Sequence, residues 1–360
     1  MKKILYILFV ASLLAVSCTK EVLVSRDHDL DAEVTDINTK MDMAVLYCNI
    51  NDAEDASMLD LQKVGEYVDA CSAESKNLKV VTFVAPANVN GTNFASWLQG
   101  YATEKGLQPL SVEDESGELC MGALVASDLA VSTYTVSQFE LSHAVLHFVV
   151  EGIHFVVTDL KEARNAVPSD WETQVETMTT NKKKAEIVYT PDLLTARKTE
   201  LGKIFTRTME FETALHERPF LKDKNWLWCV DMNAPSSVDM KYGIEFARMD
   251  CYDYDSDTEP FFTTVTDYFS VSEFLAESDP YFATNKLMVY NGLVDCLAER
   301  SVFTPSSVNY YDNPVYDRNN FVYMTVACWN MQDGLALDKD AVAELGTTHY
   351  PVLITLKSEE

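Results

Sequence analysis

Asp231 and Asn233 stand two residues apart at the end of an apolar run, residues 226–230, in the stretch WLWCVDMNAPSSVD. On a β-strand, residues i and i+2 point to the same face. A carboxylate and a carboxamide side by side at a strand's carboxyl end are able to hold a metal ion, a water or a phosphate oxygen. The Asn-Ala-Pro-Ser-Ser sequence that follows equally suits a plain turn, which such residues form readily. Two more polar groups flank apolar runs elsewhere. Asn49 closes the run that begins at Met43, and His349 comes immediately before residues 350–356.

The elements that must position these groups follow from periodicity. Residues 43–50 read as a strand ending at Asn49. Residues 59–71 have helical spacing, with Leu61, Val64, Val68 and Cys71 on one side. Residues 78–84 read as a buried strand and 94–105 as a helix. Residues 121–126 and 131–136 read as paired strands. So do 142–150 and 153–158, joined by a tight turn at Glu151-Gly152. Thr190-Pro191-Asp192 opens a helix with Pro at its first position. Leu194, Leu201, Phe205 and Met209 share one stripe of that helix, which ends near residues 216–219. Residues 269–277 and 287–297 supply further elements, 321–327 another strand and 350–356 the last. The chain has no internal repeat and no low-complexity tract. Strands outnumber helices and polar residues cluster after several strands. The pattern predicts an α/β protein with two packed sheets flanked by helices.

The order of polar strand ends resembles the endonuclease/exonuclease/phosphatase superfamily of metal-dependent phosphoesterases. The opening strand of that superfamily ends in Asn-Ile, here Asn49-Ile50. Its middle signature is Gly-Asp-Phe-Asn, here Val230-Asp231-Met232-Asn233. Its penultimate strand carries Arg-Ile-Asp-aromatic, here Arg318-Asn319-Asn320-Phe321. It closes on Ser-Asp-His-x-Pro-Val, here Thr347-Thr348-His349-Tyr350-Pro351-Val352. The resemblance spans residues 41–356 and implies a four-layer αββα sandwich of two mixed sheets flanked by helices.

The resemblance also implies a chemistry. A Glu ending the second strand binds Mg²⁺ or Mn²⁺, hard ions that prefer oxygen ligands. The Asp and Asn of the middle signature position the attacking water and the phosphate. The final His, oriented by an Asp, stabilises charge growing on the phosphoryl oxygens, and the metal adds Lewis acidity. Carried over, Asp231, Asn233 and His349 are the catalytic candidates, with Asn320 as the partner of His349. Asn49, Asp231 and Asp159 are the metal-ligand candidates.

The sequence departs from the superfamily at four positions. The metal-binding Glu falls at about Ala85. The family's Thr-His-Leu reads Thr158-Asp159-Leu160. The Asp that orients the last His aligns with Asn320, and the Asp before that His aligns with Thr348. Fewer acids leave less charge to attract a divalent ion. An amide stabilises an imidazolium less than a carboxylate does, and losing single catalytic groups commonly lowers rates by orders of magnitude. The leading expectation is therefore a degraded phosphoesterase-like site on a protein that acts by binding a small-molecule, glycan or protein ligand. The alternative is a metal-dependent phosphodiesterase or phosphatase for a small or lipid phosphoester. Its site would be rebuilt from Asp159, Asp231, Asn233, Asn49 and His349. A third class is a glycan or envelope-interaction module that uses aromatic loops.

Other residues have plainer readings. His143, His147 and His154 lie in and around a hairpin without a ligand-spaced acid or Cys beside them, and read as surface or satisfied core residues. Residues 252–257, Tyr-Asp-Tyr-Asp-Ser-Asp, resemble a calcium loop in composition but lack its Gly and terminal Glu. Tyr310, Tyr311 and Tyr316 read as a loop packing on the core, with sugar stacking as the alternative.

The N-terminus stands apart from the domain. Lys2-Lys3 precedes an apolar run, residues 4–14, too short to span a bilayer comfortably. Leu14-Ala15-Val16-Ser17-Cys18 resembles the lipobox of bacterial lipoproteins, with Ala15 where Leu is commoner. That implies cleavage before Cys18 and lipidation of it; an ordinary signal peptide cleaved nearby is the alternative. A diacylated Cys supplies the second chain that stable anchoring needs. Residues 1–17 are then a signal peptide, 18–40 a lipidated Cys and acidic tether, and 41–360 the domain. The setting is a bacterial cell envelope, with a periplasmic or surface-facing outer-membrane lipoprotein as the expectation.

Composition bounds the partners. The 360 residues carry 28 basic and 56 acidic side chains, a formal net charge of −28. Such a surface repels a polyanion, so nucleic acid is disfavoured as a partner. The basic cluster Lys182-Lys183-Lys184 reads as a solvated loop. Beyond Cys18 seven cysteines are scattered, with no CxxC and no zinc spacing. Cys48, Cys229 and Cys328 lie in apolar runs and read as buried thiols. Export leaves room for one or two disulfides.

Overall fold

A computed structural model describes residues 42–51, 58–75, 77–160, 191–208, 225–232, 252–253, 261–262, 283–290, 292–299, 307–310, 314–317, 320–338, 340–347 and 349–357. Twelve strands of this part form two large sheets. In chain order they are β1 (Met43–Asn49), β2 (Leu78–Pro86), β3 (Leu107–Glu113), β4 (Leu119–Ala126), β5 (Val131–Tyr134) and β6 (Leu146–Val150). Then come β7 (Ile153–Asp159), β8 (Asn225–Asp231), β9 (Leu293–Asp295), β10 (Asn320–Thr325), β11 (Gln332–Leu337) and β12 (Val352–Leu356). The first sheet has the order β11-β12-β1-β2-β4-β3 and the second β9-β10-β8-β7-β6-β5. Both are mixed. β1 runs parallel to β2 but antiparallel to β12. β8 runs parallel to β7 but antiparallel to β10.

The two-residue period of a strand sorts every side chain into one of two cores. Met43, Val45 and Tyr47 of β1 point into the cleft between the sheets. They meet Phe155 and Val157 of β7, Leu227 and Cys229 of β8, and Val322 and Met324 of β10 there. The alternate residues of β1, Leu46 and Cys48, face outward under two helices. These are α1 (Leu61–Glu74) and α2 (Phe94–Lys105). Helix α1 buries Leu61, Val64 and Val68, the stripe its periodicity predicts, and Asp60 caps it by accepting from the Gln62 amide at 2.9 Å. Asn93 caps α2 in the same way through the Ser96 amide at 2.8 Å. On the outer face of the second sheet, α3 (Pro191–Thr208) packs Leu201, Ile204 and Phe205, and α4 (Ala283–Tyr290) packs Met288. The layers are thus helix, sheet, sheet, helix, the αββα arrangement expected.

Several local expectations are corrected. Residues 121–126 and 131–136 are not a pair: β4 lies between β2 and β3 in the first sheet, whereas β5 pairs with β6 in the second. Strand β3 carries no clear alternation, and its faces are only half-buried because it lies at a sheet edge. The strand predicted over 321–327 stops at Thr325, where a short helix, Val326–Asn330, follows. The predicted hairpin at Glu151-Gly152 is present, with both residues at positive φ, 50° and 78°. Six described cysteines are free thiols, five of them buried. Among the described residues no helix is long and apolar enough to cross a membrane.

Candidate functional site

The inward-facing series of four strands each end in a polar residue at the same rim of the sandwich. In β1 the series 43, 45, 47 ends in Asn49. In β7 the series 153, 155, 157 ends in Asp159. In β8 the series 227, 229 ends in Asp231, and in β10 the inward series 324, 322 reaches back to Asn320. Register then brings them side by side. Asp231 is the partner of Asp159 across the parallel pair and of Asn320 across the antiparallel pair. His349 arrives from the turn before β12. All five side chains are buried.

One set of contacts ties them together. The Asn49 carboxamide Nδ2 donates across the cleft to Asp231 Oδ2 at 2.8 Å and to Asn320 Oδ1 at 3.0 Å. The Tyr47 hydroxyl donates to the same Asn320 oxygen at 2.9 Å. His349 Nε2 stands 3.4 Å from Asp231 Oδ2. Asp159 Oδ2 accepts from the Asn51 side chain at 3.0 Å. The loop carrying His349 is anchored by Thr347, whose hydroxyl donates to the Asn49 carbonyl at 2.9 Å and accepts from the His349 amide at 3.2 Å. Burial, reinforced by the nearby Asp231 charge, holds the Tyr47 phenol well above its ordinary range, so it is a hydrogen-bond donor at neutral pH.

The sequence candidates thus separate. Asn49, Asp159, Asp231, Asn320 and His349 are brought together. The carboxylate 3.4 Å from His349 is that of Asp231, while the Asn320 side-chain oxygen accepts from Tyr47 and Asn49. Asn233, Thr348, Arg318, Asn319 and Cys18 lie outside the described residues. Asp159, a metal-ligand candidate, is in the cluster because it continues the inward series of β7. Tyr47, Asn51 and Thr347 were missed. Tyr47 and Asn51 flank Asn49 at i−2 and i+2, so strand alternation was the signal that could have found them.

Strand β2 shows which way its last residues face. Ala85 faces outward, into the core under α1 and α2. The residue in register with Asn49, on the face between the sheets, is Val84. An apolar side chain therefore stands at the neighbour of Asn49 in the first sheet. Among the described residues the donors around Asn49 do not by themselves supply the several oxygen ligands that Mg²⁺ or Mn²⁺ take. The Asn49 side-chain oxygen accepts from the Asn51 amide at 3.0 Å, and its nitrogen, not an oxygen, faces Asp231. Among the described residues no group of three His, Cys, Asp or Glu side chains stands at metal-binding spacing.

The remaining sequence candidates lie elsewhere. His147 and His154 sit on the outer face of the second sheet, Nε2 to Nδ1 at 3.1 Å, stacked with Trp226 and Tyr134. His143 Nδ1 meets Asp114 Oδ2 at 2.8 Å, an acid 29 residues away in sequence. Tyr252 and Asp253 form a two-residue strand paired with residues 261–262; residues 254–257 lie outside the described part. Tyr310 and Tyr316 fall on two short paired strands, and Tyr311 and Lys182–Lys184 lie outside.

No family model and no curated protein matches the chain. Solved structures do. An AP endonuclease from Archaeoglobus fulgidus superposes with a TM-score of 0.51 at 12% identity, over 87% of this chain and 99% of that one. The 3'-5' exonuclease NExo from Neisseria meningitidis gives 0.51 at 13% identity, over 88% and 100%. The 3' phosphatase NExo from Neisseria bound to product DNA hairpin gives 0.51 at 12%, over 88% and 99%. At such identities the likeness speaks to architecture, and with the two mixed sheets and their flanking helices it gives one conclusion: this chain has the endonuclease/exonuclease/phosphatase-type fold.

Proposed function

We propose that the protein is an envelope-anchored lipoprotein, tethered through Cys18, whose phosphoesterase-like domain acts by binding rather than by phosphoester hydrolysis. The observation that carries this reading is the occupation of Asp231. Its Oδ2 accepts from Asn49 at 2.8 Å and lies 3.4 Å from His349, while Val84 occupies the register position beside Asn49. A carboxylate engaged in this way, buried and opposite an apolar neighbour, holds the two sheets together. It is poorly placed to receive a cation and a phosphate together. The net charge of −28 supports a ligand other than nucleic acid.

The test is hydrolysis of bis-p-nitrophenyl phosphate and p-nitrophenyl phosphate by the purified chain with Mg²⁺, Mn²⁺ or Ca²⁺, beside Asp231→Ala. The expected outcome is equal background in both. Metal-dependent turnover that disappears in Asp231→Ala would refute the reading. One observation favours the second reading, a phosphodiesterase or phosphatase with a rebuilt site: Asp159 and Asp231 are both buried and in register on adjacent strands. The same assay decides between them.

A further inference from the structure

We propose that the outer edge of β5 is a docking edge for a second copy of this chain, which joins two second sheets into one continuous sheet. An edge strand presents unpaired main-chain N–H and C=O groups, and folded proteins blunt such edges with Pro, charge, bulges or brevity. Among the described residues the two large sheets have four outer strands, β3, β5, β9 and β11. Three of them are blunted. β3 carries Pro109 in mid-strand and Glu113 at its end. β11 is bulged between Gln332 and Gly334, and Asp333 stands on it with Lys357 at 2.9 Å. β9 is the shortest, three residues, and ends in Asp295.

β5 carries no Pro, no charge and no bulge. It pairs with β6 in an unbroken register, and among the described residues it pairs with no other strand. Its ladder residues are Val-Ser-Thr-Tyr, and Thr135-Val136-Ser137 carries the run of β-branched and hydroxyl side chains on past them. Residues 129–139 contain no charged residue, no Pro and no Gly, in a chain that is 23% charged. Ser132, Thr133 and Tyr134 are exposed. Three large apolar side chains are exposed among the described residues, and two of them, Tyr134 at 43% and Phe139 at 69%, belong to this segment.

Charge and symmetry select the occupant. Two copies, each with a net charge of −28, repel over most of their surface. Contact between them requires a place without charge. The acids that flank the uncharged run are paired within the chain: Asp128 lies 2.9 Å from Lys79, and Glu140 lies 3.0 Å from Lys203. A foreign strand is selected by pockets for its alternate side chains. β5 instead offers small hydroxyls that match their own copies. Antiparallel pairing about a two-fold axis at Thr133 sets Thr133 opposite its own copy, Ser132 opposite Tyr134 and Val131 opposite Thr135. Cross-strand Thr pairs are favourable, and an isologous two-fold contact closes at a dimer.

The experiment is sedimentation equilibrium of the full chain in a density-matched detergent, with hydrogen exchange of the amides of residues 131–136. A monomer–dimer equilibrium is expected, with those amides slower to exchange in the dimer. Thr133→Lys sets two ammonium groups opposite each other at the axis and should weaken the dimer by roughly tenfold or more, since like charges directly opposite repel. Thr103→Lys, the same charge change at an exposed site on α2, should dimerise like the parent chain. A parent chain that stays monomeric, or a dimer undiminished in Thr133→Lys, would overturn the proposal. A monomer whose 131–136 amides are already protected would assign the edge to another segment of the same chain and overturn it equally. The edge uses no residue of the strand-end cluster, so the phosphoester assay and this measurement fail independently.

Discussion

Asn49 Nδ2 spans the cleft between the two sheets to reach Asp231 Oδ2 at 2.8 Å. Both side chains are buried, at 1% and 0% exposure, so the bond lies in a site that water hardly reaches. Removing Asn49 takes one hydrogen-bond donor from a buried carboxylate that water cannot re-solvate, which costs more than the bond itself contributes. Asn49→Ala is therefore expected to lose about 2–4 kcal/mol of stability. Urea unfolding with unchanged m-value would measure it. A gain in stability would instead mean that Asp231 is held under strain for a reaction, the usual trade-off at working active sites.

Divalent metal should leave the fold indifferent. A ligand that binds only the native state at about a thousand times its Kd adds about 4 kcal/mol. Thermal unfolding of the metal-free chain with about 10 mM Mg²⁺ or Mn²⁺, far above the Kd of a tight site, is expected to show no rise in Tm beyond that of an equal ionic strength of NaCl. A metal-specific rise lost in Asp231→Ala would establish a cation site at the strand ends.

Gly346 controls the approach of His349. It ends the short helix Ala341–Leu345 in the left-handed region, φ 72°, and a Cβ there would lie 2.6 Å from the Met58 carbonyl carbon and oxygen. Thr347, the next residue, carries the bond to the Asn49 carbonyl. Gly346→Ala meets both backbone strain and a clash with main chain that has little room to retreat. A loss of about 2–4 kcal/mol is expected in denaturant unfolding, with changed chemical shifts at His349 in imidazole-detected NMR.

Acid should destabilise the chain in part through His147. Burial, and secondarily the adjacent His154, push its folded value down to about 4 from 6.5. Between those values the unfolded chain holds the proton and the folded chain does not, so stability falls as pH drops. The contribution is fully present above about 6.5 and is lost progressively towards 4. His147→Phe keeps an aromatic ring between Tyr134 and Trp226 and should flatten the slope of stability against pH in this window.

Much of the site was legible because strand alternation is a local rule. The endings Asn49, Asp231 and His349 stand out as polar residues beside apolar runs, and α1 is legible from its apolar stripe. Ala85 shows the limit of that rule. Alternation says that Val84 and Ala85 face opposite ways, but only pairing with β1 says which of them stands beside Asn49. The mispairing of residues 121–126 with 131–136 has the same origin, since neighbouring strands in sequence went to different sheets.

The sequence by itself determined which residues would be polar at strand ends and which stripe of α1 would be buried, because each follows from side-chain chemistry and short-range geometry. Only the tertiary structure decided that Asn49 and Asp231 are bonded and that Asp159 and Tyr47 join them. Those contacts link residues up to 273 positions apart. They exist because two twisted sheets bury their inward faces against each other, a balance of packing that no short segment encodes alone.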